Sequence, residues 1–589
     1  MSDLGLGDLG LGKSLGALGD GLQGVKPVLE DASVSLGGAV GDLGGLIPAN
    51  GPFQQCIVTA FGGDTTRYAF LQDLLFGLTD QRPYNLDAAW TPAAIVYPHS
   101  AIEVSTSVSC AYEYGIAVQA KSGGHSYRGF GLGGQDGSLV IDLRFLKDFA
   151  YDPTTQQVTF GSGSLLMDLD RQLAVLDRVM AYGVVGDIGT GGHNAIGGLG
   201  PLSRLLGLAC DQIVSMQCVL GDGRIVTASN WENPDLFFAM KGAAWSFAIA
   251  TQFTMQTSPA PSTVTSYQFN ITAGGIGGLA DSFKRWQRLV ADPALSRYFA
   301  STFTLTQDLA IYSGTFFGDV ETFNQLNLGL ALFDGIYGIS IVSQVVTTVI
   351  HELIDVVQDL FGQIPQHFYS KSLKYTPHTL LSDSAVDTLF QYIDQTPKGV
   401  LIWFIVWDLN GGAIADIRQD ATAYWNRDAL FFQQSYVADV LAPITQTSYD
   451  FLNGVNALAK QLRPGSDDSA YPGYVDPLLP DPLTAYWGGN VPRLIQIKGE
   501  YDPANTFRNP QSIPSPFGGR QKHKHKRSHA DQIGRHSPRA QIHSHGREHS
   551  HAVRSPLGLS DLKGIDAASG AAGLKEGPSS KSSGLQADL

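Results

Sequence analysis

The chain has 589 residues, a formal net charge of −15 at pH 7, and a composition that is 43% hydrophobic but only 16% charged. This length exceeds one ordinary core, so two packed domains with tails are expected. The acidic balance argues against a nucleic-acid-binding protein, which needs a basic surface, and no window is apolar and long enough to span a bilayer. The composition fits a globular enzyme with a small neutral or cationic substrate.

Low-complexity sequence occupies both ends. Residues 1–50 repeat Leu-Gly and Asp-Leu-Gly units, whose glycine opposes helix and strand and which contain no recognisable secretory signal. Residues 514–589 are rich in Ser, Gly, Lys, Arg and His without apolar periodicity. Both segments are predicted to be disordered tails. Eight of the 14 histidines lie in the second tail, but a flexible basic tail with adventitious metal affinity is favoured, and no metal site is predicted.

Between the tails, short apolar runs separated by glycine turns alternate with helical stretches, which predicts a mixed α/β or α+β protein. The first predicted elements form a β-α-β unit: a strand at 94–97, a helix at 101–114 and a strand at 116–120. They are followed by strands at 138–143 and 157–160, a helix at 165–176, a strand-rich block at 210–228, and later a strand at 400–408.

These elements group into a first domain over 51–260, a second domain over 261–485, and a segment over 486–513 that returns to the first domain. Cys56 and Cys110 flank the start of the folded part and could form a disulfide. Cys210 and Cys218 are favoured as buried free thiols, although their pairing stays open. A sequon at 270–272 gives weak support for secretion.

Two glycine-rich segments carry the chemical signal. Ser122-Gly123-Gly124-His125-Ser126-Tyr127 directly follows a predicted strand, and its glycines allow consecutive N–H groups to surround phosphate oxygens. Taken alone, this segment is better explained as a glycine turn with a hydrogen-bonded histidine. The second segment, 186–200, is far denser in glycine than a hairpin needs. It lacks the dinucleotide-binding pattern that opens a helix, so NAD is not expected.

Together the segments resemble the vanillyl-alcohol oxidase and p-cresol methylhydroxylase superfamily, in its berberine-bridge-enzyme-like and oligosaccharide-oxidase-like branch. The resemblance covers residues 53–513 and rests on KSGGHSY, GGHNAIGGLG, GLACDQIVSMQCVLGDGRIVTAS, NPDLFFAMKGAAWSFAIAT, YWGGNVPRL and YDPANTFRNPQSI. It implies an α+β fold: a PCMH-type FAD-binding domain of two α/β subdomains, plus a substrate domain whose antiparallel sheet is covered by helices.

The resemblance also implies FAD as the cofactor, bound covalently through His125. Many members carry a second tether at a cysteine, and that position is Val185 here, so a single link is expected. Ile188 takes the position that controls oxygen access, and its β-branch favours an oxidase. The other implied flavin-contacting residues are Ser122, Gly123, Gly124, Ser126, Tyr127, Gly189, Gly192, His193, Gly197, Gly198, Leu199, Ile249 and Asn490.

For catalysis, the resemblance assigns Tyr486 as the base that takes the substrate's hydroxyl proton, with Asp408 accepting the phenol proton through a hydrogen bond. Each residue has a simpler interpretation. Asp408 could cap a glycine turn at a strand end, and Tyr486 could be an aromatic core residue.

The favoured function is hydride transfer from an alcohol or hemiacetal carbon to flavin N5, with reoxidation by O₂ to H₂O₂, on a carbohydrate or secondary metabolite. Two alternatives stay open: oxidative desaturation or cyclisation of a natural product, and a flavin-binding protein without turnover, motivated by Val185 and the altered segment 247–251. The expected partners are the small-molecule substrate and O₂, with no nucleic acid or membrane. A monomer is expected, with an extracellular location implied by the resemblance.

Overall fold

The computed structural model describes residues 51–518 apart from 74–75, 274, 308, 337–338 and 349–364. The predicted N-terminal tail lies outside the described residues, as does the predicted C-terminal tail from residue 519, including its histidines. Within the described part, no helix combines the length and apolar character needed to cross a membrane. No group of three potential metal ligands occurs there either.

The first layer is a four-stranded sheet with the order β1-β2-β4-β3, in which β4 pairs in parallel with β2 and β3. Its elements are α1 Pro52–Ala60, β1 Tyr68–Phe70, β2 Ala94–Val96, α2 Ala101–Tyr114, β3 Val118–Lys121 and β4 Leu139–Asp142. The side chain of Ser100 caps α2, and Gly115 ends that helix in the left-handed conformation. The predicted β-α-β beginning is confirmed.

A disulfide between Cys56 and Cys110 joins α1 to α2, with Cα atoms 5.9 Å apart, so the predicted pairing is confirmed. Cys210 and Cys218 are free and buried, as favoured from the sequence.

The second layer is an antiparallel five-stranded sheet with the order β5-β6-β10-β8-β9. Its core contains mainly apolar side chains from the strands and from the helices packed on them. The elements of this region are β5 Phe149–Asp152, β6 Gln157–Gly161, α3 Leu166–Val175, β7 Arg178–Val179, α4 Thr190–Ile196, α5 Ser203–Leu206, β8 Ile213–Leu220, β9 Ile225–Ser229, α6 Pro234–Met240, β10 Ala248–Gln256 and β11 Ser258–Pro259.

The third layer is a seven-stranded antiparallel sheet with the order β15-β12-β14-β13-β17-β18-β16. Its strands are β12 Val264–Ala273, β13 Phe299–Leu305, β14 Ala310–Phe316, β15 Ile339–Thr348, β16 His367–Tyr375, β17 Ile402–Leu409 and β18 Phe431–Asp439. The helices of this region are α7 Ile276–Val290, α8 Val320–Asn324, α9 Leu328–Phe333, α10 Asp383–Gln395 and α11 Gln446–Gln461.

Burial alternates along the central strands of this sheet. In β17, Trp403, Ile405 and Trp407 are buried in a core with residues of α7, α10 and α11, because period-two geometry sends alternate side chains to opposite faces. Phe404 and Asp408 are partly exposed on the other face. The predicted substrate-domain architecture is therefore confirmed, and Asp408 lies on the face without helices.

The chain ends with α12 Pro482–Trp487 and α13 Val491–Tyr501. The N–H of Val118 in β3 donates to the carbonyl of Thr506 at 2.9 Å, and Phe507 is buried among residues of the first layer. The last segment therefore contacts the first sheet.

Candidate flavin and substrate site

The first glycine loop starts where β3 ends. Lys121 closes that strand, and its Nζ lies 3.2 Å from Oδ2 of Asp142 at the end of β4. Gly124 has φ +85°, a conformation that favours glycine. The backbone N–H groups of residues 123–126 donate no hydrogen bond to any described part of the chain. The loop therefore offers a row of free donors at a partly exposed surface, as an anion requires.

The second glycine run lies directly against this loop. A Cβ on Gly123 would fall within 3.0 Å of the backbone of Gly189, and a Cβ on Gly189 would meet Gly123 equally closely. The hydroxyl of Ser122 donates to the carbonyl of Ser162 at 2.6 Å and accepts from the N–H of Gly191 at 3.3 Å. Two predicted segments, more than 60 residues apart, therefore form one surface by backbone contact.

His125 extends from the first loop to the second run. Its Nε2 lies 3.2 Å from Oδ2 of Asp187, and the two side chains are 14% and 12% exposed. The ring of Tyr84 packs on the imidazole with centroids 4.4 Å apart. Burial, with contributions from Tyr127 and Asp187, raises the pKa of Tyr84, so this phenol is neutral. The imidazole is therefore held between a carboxylate and an aromatic ring.

His193 takes a structural role at the second run. Its Nε2 accepts a hydrogen bond from the N–H of Gly183 at 3.1 Å, and burial lowers its pKa to about 4, which keeps it neutral. Gly197 and Gly198 form a turn with φ +141° and +83°, packed against Tyr424 and Ala209. These contacts fix the conformation of the second glycine run.

The other predicted residues of this region differ in their surroundings. Gly192 is exposed, and a Cβ there would meet nothing within 4 Å. Ile188 and Leu199 are partly buried against the core of the second layer. Ile249 is buried in the core of the first layer, and Ser126 accepts from the N–H of Phe130 at 3.1 Å.

The two loops fit FAD. The free N–H groups of residues 123–126 suit the pyrophosphate, and the close approach of Gly123 to Gly189 leaves a surface without side chains on which a flat ligand can lie. His125 lies beside them, accessible at the loop surface. A dinucleotide with a planar ring system matches this combination of an anion cradle and a flat backbone surface.

Asp408 forms the second part of the site, on β17. Its Oδ1 accepts from the hydroxyl of Thr302 at 3.0 Å, and its Oδ2 lies 3.5 Å from the hydroxyl of Tyr474. Burial raises the pKa of Asp408 to about 6, although both hydroxyls lower it. The pKa of Tyr474 is raised well above its usual value by burial and then by Asp408. At neutral pH the pair is a carboxylate and a phenol.

Tyr127 connects this pair to the first glycine loop. Its ring stacks on Tyr474 with centroids 5.9 Å apart and an interplanar angle of 19°. Its hydroxyl accepts from Nε2 of Gln434 at 3.1 Å, and burial raises its pKa to about 12. The loop that carries His125 therefore lies next to the Asp408–Tyr474 pair.

The structure gives Tyr486 hydrogen-bond partners other than Asp408. Tyr486 is 1% exposed, its hydroxyl accepts from the N–H of Asp476 at 3.2 Å and donates to Oε1 of Gln511 at 3.2 Å. Its ring packs edge-on against Trp245 and Trp487. Both hydrogen bonds are made inside the core, which agrees with the simpler interpretation of Tyr486 as an aromatic core residue.

Asn490 is likewise not brought to the two loops. Its amide donates to the carbonyls of Gln419, Thr422 and Ala423 at 3.0, 3.0 and 3.4 Å. The side chain therefore fixes the loop that follows β17, rather than pointing free donors at a cofactor.

Sequence reasoning missed two residues of the site, Tyr474 and Asp187. Tyr474 lies in Tyr471-Pro472-Gly473-Tyr474-Val475-Asp476, where a tyrosine follows a proline-glycine pair and a charged residue comes two positions later. Asp187 is the acidic residue of a glycine run that was interpreted through its glycines alone. Both signals were visible, but neither indicated a partner.

Aromatic side chains extend from Asp408 along the same sheet face. Phe404 stacks on Tyr436 of the neighbouring strand with centroids 4.7 Å apart and an angle of 10°, and Phe368 stacks on Tyr436 at 5.0 Å. Phe368 also packs edge-on against Tyr127. We call Phe368, Phe404 and Tyr436 the aromatic wall; it borders the region next to Asp408.

Comparison with known families gives two matches. A family model described as "FAD binding domain" matches residues 92–229, which contain both glycine segments. A model described as "Berberine and berberine like" matches residues 470–514, which contain Tyr474 and Tyr486.

Named relatives agree with these matches. FAD-linked oxidoreductase sorD of Penicillium rubens is 33% identical over 467 residues, covering 78% of this chain and 98% of the relative. The xylooligosaccharide oxidase of Thermothelomyces thermophilus is 32% identical over 463 residues, covering 74% and 90%.

Solved structures agree as well. The chain is similar to xylooligosaccharide oxidase from Myceliophthora thermophila C1 in complex with xylobiose, with a TM-score of 0.71 and 28% identity over 79% of this chain and 99% of that one. It is also similar to glucooligosaccharide oxidase from Acremonium strictum, described as carrying 6-S-cysteinyl, 8α-N1-histidyl FAD. The TM-score is 0.71, with 27% identity over 79% of this chain and 99% of that one.

Proposed function

The chain belongs to the berberine-bridge-enzyme-like family of FAD-linked oxidoreductases, and from that premise we propose that Tyr474 and Asp408 act together as its proton acceptor. The proposed reaction oxidises a CH–OH carbon of a carbohydrate, at an alcohol or hemiacetal position, and passes the electrons to O₂. The oligosaccharide oxidases among the relatives support carbohydrate as the first substrate class to test.

One observation carries this proposal: the hydroxyl of Tyr474 lies 3.5 Å from Oδ2 of Asp408 while its ring stacks on Tyr127 of the flavin loop. Bound FAD would supply the hydride acceptor at N5. Removing hydride from a carbon that bears a hydroxyl leaves a proton on that oxygen, and a positioned base must take it. Tyr474 is the titratable hydroxyl that borders both the flavin loop and a carboxylate.

Asp408 makes this transfer feasible by accepting a proton. Burial, and then the negative charge of Asp408, raises the pKa of Tyr474, so Tyr474 is a neutral phenol before the proton transfer. As Tyr474 takes the substrate proton it passes its own to Asp408, whose raised pKa of about 6 makes the carboxylate a better acceptor than an exposed aspartate. Thr302 holds the other carboxylate oxygen at 3.0 Å and so orients the group.

His125 is the proposed covalent anchor of FAD, and Val185 cannot provide a second link because valine has no nucleophilic atom. The residues proposed to hold the cofactor are Ser122, Gly123, Gly124, Ser126, Gly189 and Gly191, through backbone groups and one hydroxyl. Acid-denatured protein on a gel should keep its flavin fluorescence. Flavin that washes out on denaturation would refute the linkage.

We propose that Ile188 lies beside the position at which O₂ reacts with the reduced flavin. It lies between Asp187 and Gly189 at the contact of the two loops and is partly exposed. Mixing photoreduced enzyme with aerated buffer measures reoxidation directly. Fast reoxidation is expected for an oxidase, whereas slow reoxidation would make the protein a dehydrogenase.

The two tyrosines allow a matched test of the proton acceptor. Tyr474→Phe should slow anaerobic flavin reduction by about 10²–10⁴-fold, since it removes the positioned base while the flavin loops stay intact. Tyr486→Phe is the control and should reduce at the wild-type rate, because its hydroxyl is used within the core. Equal rates for wild type and Tyr474→Phe would remove Tyr474 from the mechanism.

The aromatic wall favours a second candidate, oxidation of a flat, unsaturated natural product. Phe404 is the partly exposed ring of this wall and stacks on the buried Tyr436, and an exposed aromatic face can hold either a sugar face or an aromatic ring. A peroxide-coupled screen of oligosaccharides against aryl and polyunsaturated alcohols separates the two. Peroxide formed only with the aryl and polyunsaturated alcohols would reject carbohydrate as the substrate class, while alcohol oxidation would remain the proposed reaction.

An extracellular location is proposed from the disulfide between Cys56 and Cys110, since disulfides persist in oxidising compartments. The sequon does not contribute, because Asn270 lies in a strand paired on both sides and is only 8% exposed.

We propose a monomer, which size-exclusion chromatography with light scattering tests directly.

A further inference from the structure

The contact between His125 and Asp187 is more specific than a surface ion pair. Oδ2 of Asp187 lies 3.2 Å from Nε2 of His125, while Oδ1 is buried and finds no hydrogen-bond partner in the described part of the chain. A buried carboxylate oxygen without a hydrogen-bond partner destabilises the fold. A role in packing alone does not account for a carboxylate here.

This contact fixes which nitrogen of His125 is reactive. A carboxylate only accepts hydrogen bonds, so Nε2 must carry the proton and the neutral ring keeps its lone pair on Nδ1. Tyr84 covers one face of the ring at 4.4 Å and limits its rotation. The histidine is therefore presented as a single tautomer in a single orientation.

We propose that Asp187 is a positioning residue that directs FAD attachment to Nδ1 of His125 and stabilises the positive charge that the ring gains as it reacts. The inference rests on the proposed covalent link. The bond formed joins Nδ1 to the carbon of the flavin 8-methyl group, and one C–H bond of that methyl is broken. The two electrons pass through the flavin to O₂, which is released as H₂O₂ with the methyl proton and the Nε2 proton.

The backbone contact between the two loops explains why Asp187 can do this. Gly123 and Gly189 touch without side chains between them, which brings Asp187, two residues before Gly189, to the histidine two residues after Gly123. Val185 lies two residues earlier on the same run.

The test measures attachment rather than turnover. Wild type, Asp187→Ala, Asp187→Asn and His125→Ala are each incubated with FAD in air, and covalent flavin is followed over time by gel fluorescence and intact mass after acid denaturation. Asp187→Ala should attach flavin about 100-fold more slowly, with acid-releasable FAD still bound. The rate of attachment in Asp187→Asn should lie between the rates of wild type and Asp187→Ala, because the amide oxygen can accept the hydrogen bond but carries no charge.

The controls separate the two proposals. Asp222→Asn changes a surface aspartate paired with Arg224 and should attach flavin at the wild-type rate. Attachment in wild type that is absent in His125→Ala, but unchanged in Asp187→Ala, would overturn the role of Asp187 alone. Wild-type protein without covalent flavin would overturn the proposed link and this inference together. Peptide mapping should find the substituent on Nδ1, and a substituent on Nε2 would also overturn the inference.

Discussion

The two halves of the site are built from different materials. The flavin half consists mainly of main chain: the loop at 122–127 and the run at 186–192 meet through Gly123 and Gly189, and two side-chain contacts join them, Ser122 with Gly191 and His125 with Asp187. The proton-accepting half consists of side chains: Asp408 is held by Thr302 and faces Tyr474. One half depends on the absence of side chains, and the other on two hydroxyls and one carboxylate.

This difference governs how each half responds to change. Where two backbone segments already touch, there is no room for an added atom, so a single methyl group would push the two glycine loops apart. A side-chain network tolerates isosteric replacement, so a substitution there removes a chemical step and leaves the structure intact. The predictions below use this contrast.

The largest effect is expected at Gly189. Gly189→Ala inserts a Cβ where the backbone of Gly123 and the hydroxyl of Ser122 lie within 3.0 Å, so the two loops must separate, at a cost of about 3 kcal/mol or more. The purified variant should lack flavin, as measured by the absorbance ratio of flavin to protein. Gly192→Ala is the control, because its Cβ enters open space, and it should keep its flavin. Full flavin content in Gly189→Ala would contradict the main-chain cradle.

The next effect is expected at Asp408. Asp408→Asn should slow flavin reduction by about 100-fold while flavin content stays normal. In wild type the rate should rise with pH through about 6, because only the ionised carboxylate accepts the proton of Tyr474. The variant should lose this dependence in anaerobic stopped-flow measurements. A rate step near pH 6 that survives the substitution would assign that titration to another group.

The stability of the folded protein should fall with rising pH because of Asp408, whereas the rate of flavin reduction should rise. The folded pKa of Asp408 lies above its ordinary value, so the folded state binds the proton more tightly and loses stability as pH rises through about 6. Above that pH, Asp408→Asn removes a buried charge and should be as stable as wild type or more so, by up to about 2 kcal/mol. Urea denaturation at pH 5 and pH 8 measures the difference.

The same contrast explains what the sequence could predict. The β-α-β beginning and the two glycine segments follow from local patterns, because glycine density and apolar periodicity are visible in consecutive residues. The antiparallel sheet of the substrate domain was implied by the family resemblance. The contact of Gly123 with Gly189 joins two segments that lie far apart in the chain, and no local pattern predicts it. Strand order in the seven-stranded sheet depends on long-range pairing, which no local pattern encodes.

The choice between Tyr474 and Tyr486 illustrates that limit. Both tyrosines lie within two residues of a glycine in the segment that matches the berberine-like family model, and the motif alone favoured Tyr486. They differ because Asp476, which lies between them in the chain, supplies the N–H that occupies the hydroxyl of Tyr486. Only the folded backbone decides which hydroxyl remains for Asp408.

The smallest effect is expected at Tyr486, and it completes the comparison. Tyr486→Phe removes a hydroxyl that accepts from Asp476 and donates to Gln511, leaving two buried groups without that partner, which costs roughly 1–3 kcal/mol. Unfolding in urea should shift accordingly, while the rate of flavin reduction stays at the wild-type value. Tyr474→Phe should show the reverse pattern, because Tyr474 is partly exposed and its hydroxyl makes one long contact. If Tyr486→Phe instead slowed reduction as strongly as Tyr474→Phe, the core would have to be coupled to the proton acceptor, and the separation into two halves would fail.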